Sequence, residues 1–266
     1  MHGFARVNGT ELWYEVQGKG NPLVLIHGSP LDARMWDQQM PPLSAHFRVV
    51  RYDVRGYGRS SVPADVPYRH EDDLAALLAF LEIDQAAILG LSMGGRLAVD
   101  FALAYPRMVS ALVLAGSSLS GFPCSEDLGA LADEMYSAVD RGGIDAGRTV
   151  MLGRHWFQPS RNRASTRHVV ERLVADYSGW HWTHNDPVVA LSPAAYGRLQ
   201  EVAVPALCLV GEHDHPDILA VAATVADRVP GARQVVMPGV AHMVNLEDPE
   251  AFNAHVLGFL QARFVN

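Results

Sequence analysis

The sequence predicts an α/β fold, with a doubly wound, mostly parallel sheet and a helical segment inserted after the sixth strand. Short apolar runs alternate with helical patterns along most of the chain, which implies parallel strand pairing. Several of these runs are continuous, as expected for strands buried on both faces. The alternation stops between residues 116 and 200. We therefore expect a core formed by residues 1–115 and 201–266, and a helical cap formed by residues 116–200.

The chain opens with a predicted β-hairpin, in which two short runs flank an Asn8-Gly9 turn. After the 86–89 run, residues 96–105 show a helical pattern, on which Arg96 and Asp100 are expected to form a surface pair. The predicted strands, in order, cover residues 4–7, 12–17, 23–26, 47–53, 86–89, 111–115, 204–210 and 233–237.

The most specific motif is Gly90-Leu91-Ser92-Met93-Gly94, which lies between an apolar run and a helical pattern. A Gly-x-Ser-x-Gly at a strand-to-helix junction indicates a nucleophile elbow, a turn so tight that it exposes the serine hydroxyl. A Cβ at Gly90 or Gly94 would collide with the neighbouring strand or helix. The alternative is an ordinary glycine-rich turn. We predict that Ser92 is a catalytic nucleophile.

Two later segments supply the partners of such a serine. Its hydroxyl becomes a good nucleophile only when a base takes its proton and an acid orients that base. Asp214 comes just after the apolar 204–210 run, and Glu212 is the competing acid. His242 follows the 233–237 run. The order Ser92, Asp214, His242 is the order of a nucleophile, its acid and its base when the serine is on an elbow of this kind.

An early segment, His27-Gly28-Ser29-Pro30, follows the apolar 23–26 run. Acyl transfer passes through a tetrahedral oxyanion, which preorganised backbone N–H groups stabilise. We predict that the N–H groups of Met93 and Ser29 form this oxyanion hole. His27 is expected to brace the loop and to take no part in proton transfer.

Together these motifs resemble those of the α/β-hydrolase superfamily, which contains esterases, enol-lactonases, cofactor-free haloperoxidases and carbon–carbon bond hydrolases. The 47–53 run and the elbow look most like bacterial 3-oxoadipate enol-lactonases, whereas residues 27–31 look more like haloperoxidase-type esterases. One departure is Ala241, where many relatives have glycine. The resemblance implies the α/β-hydrolase fold, a catalytic triad, a helical cap and no cofactor. The matching segments are His27-Gly28-Ser29-Pro30, Trp36, residues 53–60, residues 90–95, Gly211-Glu212-His213-Asp214, and His242 with Glu247-Asp248-Pro249.

The 116–200 segment is rich in aromatic and histidine side chains, and its charges nearly balance. Such residues line an apolar pocket with a few polar contacts, or they simply pack a cap onto the sheet. We take Trp156, Trp180 and Trp182 as candidate walls of a pocket for an uncharged acyl ester. A dicarboxylate substrate would instead need a basic group, for which Arg154 and Arg161 are the candidates.

Composition narrows the possible partners. The net charge is −8 and no basic stripe is present, so nucleic acid is not an expected partner. His213 and His215 flank Asp214 without the spacing of a zinc site, so no metal is expected. The only two cysteines lie far apart, and no disulfide is expected. We expect a cytoplasmic protein, because the N-terminus lacks a signal-peptide core and no segment is apolar enough to span a membrane.

These observations predict a serine hydrolase that cleaves a small carboxylic ester or lactone through an acyl-enzyme intermediate, with no cofactor. The partner is then a small-molecule substrate, and a homo-oligomer is left open. Three alternatives would use the same fold. They are carbon–carbon bond hydrolysis of a ring-fission product, perhydrolase or haloperoxidase-like activity, and ligand reception with slow turnover.

Overall fold

The computed structural model describes residues 1–264, except for the side chains of residues 132 and 264. One eight-stranded sheet runs through this part of the chain. Its strands are β1 (His2–Val7), β2 (Thr10–Gln17), β3 (Pro22–Ile26), β4 (Arg48–Tyr52), β5 (Ala86–Leu91), β6 (Val109–Ala115), β7 (Ala206–Gly211) and β8 (Arg233–Met237). The spatial order is β1-β2-β4-β3-β5-β6-β7-β8. The β1–β2 and β2–β4 pairs are antiparallel, and all other neighbours are parallel.

Helices alternate with the parallel strands, and four of them lie between β6 and β7. The predicted fold class, with its helical insertion after the sixth strand, is therefore confirmed. The division into separate core and cap domains stays a prediction, and residues 265–266 of the predicted core lie outside the described residues. The helices are α1 (Met40–Ser44), α2 (His70–Phe80), α3 (Met93–Ala104), α4 (Glu126–Gly153), α5 (Gln158–Arg161), α6 (Arg167–Asp176), α7 (Trp180–Thr183), α8 (Pro216–Arg228), α9 (Val244–Glu247) and α10 (Pro249–Phe264).

The central strands are continuously apolar because both faces of the sheet are covered. On β5, Ile88 packs into one hydrophobic cluster and the adjacent Leu89 into the other. On β7, Val210 and Leu209 divide in the same way. Each such side chain contributes about 1.5–3 kcal/mol of burial free energy. Because β3, β5, β7 and β8 run parallel, the loops that follow them lie along one edge of the sheet.

Glycine residues mark two breaks in regular structure, and the first, the predicted Asn8-Gly9 turn, is confirmed. Asn8 and Gly9 have φ of 45° and 69°, so both central residues of the β1–β2 turn are left-handed, as a two-residue type I′ turn requires. Gly143 has φ of 73° and ψ of −173°, which interrupts α4. The two halves of α4 are thereby set at different directions.

The prediction that Arg96 and Asp100 form a surface pair is wrong, because Asp100 is buried. Asp100 on α3 is only 5% exposed, because the loop after β6 covers it. Its Oδ2 accepts a hydrogen bond of 2.5 Å from the Ser120 hydroxyl of that loop. The i, i+4 spacing of the two side chains shows that they are neighbours on a helix, but it does not reveal what packs over them.

Candidate active site

Ser92 lies on a strained turn between β5 and α3. Its φ is 55° and its ψ is −113°, values that a residue with a side chain rarely adopts. A Cβ at Gly90 would lie 2.1 Å from the carbonyl oxygen of Gly94. One at Gly94 would lie 2.1 Å from the carbonyl oxygen of Ile26 on β3. Both clashes are with backbone, so glycine is required on each side of the serine.

His242, in the loop after β8, contacts Asp214, in the loop after β7. The Nδ1 atom of His242 lies 3.0 Å from each carboxylate oxygen of Asp214. Both side chains are almost fully buried. Asp214 Oδ1 also accepts the backbone N–H of His215 at 2.7 Å, which fixes the direction of the carboxylate. The imidazole is therefore held in one orientation by a buried acid.

Glu212, the competing carboxylate, is turned away from the imidazole. It accepts the backbone N–H of Gly239 at 2.9 Å, and its side chain is 54% exposed. Asp214 is the carboxylate that the structure brings to His242.

Glu247 on α9 anchors the loop that carries His242. Its buried carboxylate accepts hydrogen bonds from the Ala241 backbone N–H at 2.9 Å and from the Ser160 hydroxyl at 2.7 Å. The Arg163 guanidinium lies 3.5 Å from the same carboxylate. Ser160 belongs to α5 and Arg163 follows it, so Glu247 joins the residue before His242 to the inserted helices.

The His27 side chain braces the loop after β3 through two hydrogen bonds. The His27 Nε2 atom accepts the Val54 backbone N–H at 2.9 Å, which leaves Nδ1 to donate to the Gly28 carbonyl at 3.0 Å. These bonds confirm that His27 braces the loop, and burial lowers the pKa of its imidazole. Within residues 1–264, the backbone N–H groups of Ser29 and Met93 donate to no protein acceptor. Both are therefore available to a ligand.

The side chains of the motif after β4 hold the surrounding loops together. The Asp53 carboxylate accepts the backbone N–H groups of Ala33 and Arg59, each at 2.8 Å. Arg55 is paired with the buried Asp73. Neither Asp53 nor Arg55 lines the cavity described next.

A cavity of about 880 Å³ lies between the sheet edge and the inserted helices, and Ser92 and Ser29 form part of its wall. A smaller cavity of about 170 Å³ adjoins both serines and includes His242 and Trp156. The apolar residues around the larger cavity come mainly from α4. They are Leu128, Leu131, Met135, Val150, Met151, Trp156, Trp182 and Ile218.

The three candidate tryptophans occupy different positions. Trp156 lines both cavities, and its ring centroid lies 4.5 Å from that of His242. Trp182 lines the larger cavity and packs edge-on against Tyr177. Trp180 is not among the described residues that line either cavity. It stacks on His184 instead, with a centroid distance of 5.1 Å. Two of the three are therefore brought to the site.

The fold and this set of side chains agree with one family. The family model described as the alpha/beta hydrolase fold matches residues 21–249. The chain belongs to the α/β-hydrolase fold family. This membership confirms the resemblance drawn from the motifs.

Relatives of this α/β-hydrolase include esterases, lactonases and other hydrolases. The pimeloyl-acyl-carrier-protein methyl ester esterase of Pectobacterium atrosepticum is 30% identical over 256 residues, which cover 94% of this chain and 99% of the relative. The 2-hydroxy-6-oxo-6-(2'-aminophenyl)hexa-2,4-dienoic acid hydrolase of Metapseudomonas resinovorans is 25% identical, covering 98% and 91%. The crystal structure of the enol-lactonase from Burkholderia xenovorans LB400 superposes with a TM-score of 0.83 at 29% identity, covering 97% and 100%.

The two candidate arginines also occupy different positions, and only one of them lines the larger cavity. Arg154 lines the larger cavity and forms an ion pair with Glu134 of α4. Arg161 is paired with Glu171 at 3.0 Å and is not among the described residues that line the cavity.

Sequence reasoning missed a polar part of the wall. His181 of α7 stacks on Tyr57 with a centroid distance of 4.3 Å, and the Tyr57 hydroxyl lies 3.2 Å from Ser29 Oγ. Asp186 lies 3.6 Å from the His181 ring. Burial lowers the pKa of His181 to about 4, so its imidazole is neutral at pH 7. The elements that meet here are far apart in sequence, and no local spacing signals the contact.

The described residues were also compared with the requirements of a metal site and of a membrane-spanning helix. Among residues 1–264, no group of three or more histidine, cysteine, aspartate or glutamate side chains is arranged to hold a metal ion. No helix in the described chain has the length and apolar character that crossing a bilayer requires.

Proposed function

We propose that this α/β-hydrolase is a serine hydrolase that cleaves a small carboxylic ester or lactone through an acyl-enzyme intermediate. The observation that carries the proposal is the 3.0 Å contact between buried His242 and Asp214, at a cavity that Ser92 also lines. The strained turn that exposes Ser92 supports its role as the nucleophile. The triad is then Ser92, His242 and Asp214.

In the proposed reaction, Ser92 Oγ attacks the acyl carbon and its proton moves to His242 Nε2. The oxyanion accepts hydrogen bonds from the free N–H groups of Ser29 and Met93. His242 then protonates the leaving alcohol as the carbon–oxygen bond breaks. A water molecule, deprotonated by His242, attacks the acyl-enzyme, releases the acid and restores Ser92. Asp214 accepts the Nδ1–H throughout and stabilises the imidazolium.

The described hydrogen bonds of the His242 ring go to Asp214. We expect the Ser92–His242 hydrogen bond to form when substrate fills the cavity, because catalytic hydrogen bonds often tighten only in the substrate complex. Glu247 anchors the loop that carries His242, so we expect His242 to move only a short distance when this bond forms.

An ester or lactone is favoured over other acyl substrates by the esterase and enol-lactonase relatives and by the largely apolar cavity wall. The proposed chemistry uses no cofactor. Cys124 and Cys208 are free thiols, which supports the proposed cytoplasmic location.

The decisive experiment is Ser92→Ala, assayed on 4-nitrophenyl esters, simple lactones and ring-fission products. We expect steady turnover of esters or lactones by the wild type, and a fall in kcat of about 10⁶ in the variant. A fluorophosphonate probe should add its mass to the wild type at Ser92 and leave the variant unmodified. Ser118→Ala, which changes another serine of the same cavity, is the control and should still be labelled.

An active Ser92→Ala variant would refute the mechanism. Exclusive turnover of ring-fission products would favour carbon–carbon bond hydrolysis by the same triad. One burst of product followed by very slow turnover would favour a receptor.

A further inference from the structure

Arg154 is the one permanent cation among the described residues that line the cavity. Arg154 directly follows α4, and it is already paired with Glu134 from the first part of that helix. The two side chains are 38% and 42% exposed, so the pair lies at the open part of the cavity and not in the core. An anionic group of a substrate would need the Arg154 guanidinium as its partner. Glu134 already occupies that guanidinium before substrate binds.

Asp186 adds a second negative charge to the wall. Its Oδ2 accepts the Tyr68 hydroxyl at 3.2 Å, and its Oδ1 has no hydrogen-bond partner among the described residues. Neutral His181 beside it supplies no compensating charge. The positive charge of Arg55 also acts on Asp186, but Arg55 is already paired with the buried Asp73. Since Glu134 cancels Arg154, Asp186 leaves the surroundings of the cavity negative. A substrate carboxylate would meet repulsion there.

We propose that the Arg154–Glu134 ion pair makes this site select substrates that carry no carboxylate. Glu134 withholds Arg154 from anionic groups, and Asp186 repels them. This inference rests on the proposed ester hydrolysis and names its substrate class. That class is esters or lactones of neutral, largely apolar acids, which lie along the α4 wall of Leu131 and Val150.

The strength of the pair sets the size of the expected effect. Exposed ion pairs contribute at most about 1 kcal/mol, which corresponds to roughly fivefold in an equilibrium. Glu134→Gln both frees Arg154 and removes one negative charge, so its effect on an anionic substrate should be about tenfold.

The test compares two matched substrate pairs that differ only in a free or methylated carboxylate. In the first pair the carboxylate is on the acyl side, as in mono-4-nitrophenyl adipate and methyl 4-nitrophenyl adipate. In the second it is on the alcohol side, as in 4-carboxybutyl butyrate and its methyl ester. The measured quantity is kcat/KM for the neutral ester divided by kcat/KM for the acid. We expect this ratio to be well above one for the wild type in both pairs.

Glu134→Gln should lower the ratio by about tenfold in at least one pair, through a gain on the acid substrate. Adding Arg154→Gln to that variant should restore the wild-type ratio within about twofold, because both charges of the pair are then gone. The matched control is Asp145→Asn, which removes the carboxylate of the exposed Arg148–Asp145 pair on the same helix. It should leave the ratio and the basal activity unchanged.

A measurement on the wild type alone guards against a variant that fails to fold. Raising the salt concentration from about 0.05 to 0.5 M should lower the ratio, because salt screens charges at the open part of the cavity. A wild type that prefers the acid, or a ratio unmoved by Glu134→Gln in both pairs, overturns the inference. Loss of the proposed function would show differently, as absent turnover of every ester, neutral or charged.

Discussion

His242 Nδ1 lies 3.0 Å from both carboxylate oxygens of Asp214, whereas Glu212, two residues earlier, is bonded to the Gly239 backbone. A carboxylate that faces Nδ1 holds the imidazole tautomer in which Nε2 is free to accept a proton. Glu212 has no such contact with His242. Burial of the pair also keeps water from competing for the carboxylate.

Asp214→Asn should therefore lower kcat by about 10⁴, because the amide stabilises the wrong tautomer of His242 while keeping the geometry. Glu212→Gln is the matched control and should change kcat little, since its side chain is exposed. Steady-state kinetics on a 4-nitrophenyl ester that the wild type hydrolyses provide the measurement. If Glu212→Gln is crippling and Asp214→Asn is mild, the acid has been assigned to the wrong residue.

The sheet and the Ser92 turn could be predicted because their determinants are local. Continuous apolar runs such as 86–89 and 204–210 identify strands covered on both faces, and parallel pairing then places the following loops on one edge. Gly90 is required by a backbone contact within the motif itself, whereas Gly94 is required by the carbonyl oxygen of Ile26 on the neighbouring strand β3. Glu247 is visible in the sequence only as part of a family motif, because its partner Ser160 lies 87 residues away in the chain.

Glu247 should act as a positioning residue for His242, and a graded pair of variants tests this. Glu247→Gln keeps an acceptor for the Ala241 N–H, so kcat should fall less than tenfold. Glu247→Ala leaves that buried N–H unpaired and frees the loop, so kcat should fall by roughly 10–100-fold, since small misplacements of a base are costly. KM should change little in either variant, because Glu247 does not line the cavity.

Ser160→Ala is the control for Glu247, since it removes only the contact with α5. It should lower the melting temperature but leave kcat near that of the wild type. Equal losses of kcat in Glu247→Ala and Glu247→Gln would argue that charge, and not support of the loop, is what matters.

The pocket walls could not be predicted residue by residue. Trp180 and Trp182 lie two positions apart on the four-residue helix α7, so they point in different directions, and only Trp182 reaches the cavity. Arg154 and Arg161 were equivalent in the sequence, yet only Arg154 lines the cavity. In each case the decisive contact is with an element distant in sequence, which composition and spacing do not reveal.

Trp156→Ala should change the ranking among acyl chain lengths, because its ring forms a wall beside His242. One methylene group in an apolar pocket is worth about 1–3 kcal/mol, so preferences should shift by roughly 10–200-fold. Trp180→Ala is the matched control and should leave the ranking intact. The measurement is kcat/KM for 4-nitrophenyl esters from acetate to decanoate. An unchanged ranking in Trp156→Ala would mean that this ring serves packing alone.

Asp100 makes stability depend on pH in a direction opposite to that of a salt-bridged carboxylate. Burial raises its pKa from 3.8 to about 6, despite the Ser120 hydrogen bond and the charge of Arg96. The folded protein therefore binds the proton more tightly than the unfolded chain does. This group favours folding below about pH 4 and loses that contribution as the pH rises through about 6. Its buried Oδ1 also lacks a partner among the described residues.

Asp100→Asn should stabilise the protein at pH 8, where the wild type must keep a buried charge. The shift of about two units sets an upper limit of about 3 kcal/mol on this gain. An amide keeps the acceptor for Ser120 and has no charge to bury, so the difference should narrow towards pH 4.5. Urea unfolding at pH 4.5, 6 and 8 gives the measurement, with the exposed Asp84→Asn as a control that should follow the wild type at every pH. A destabilised Asp100→Asn at pH 8 would mean that the attraction between Asp100 and Arg96 outweighs the cost of burying the carboxylate.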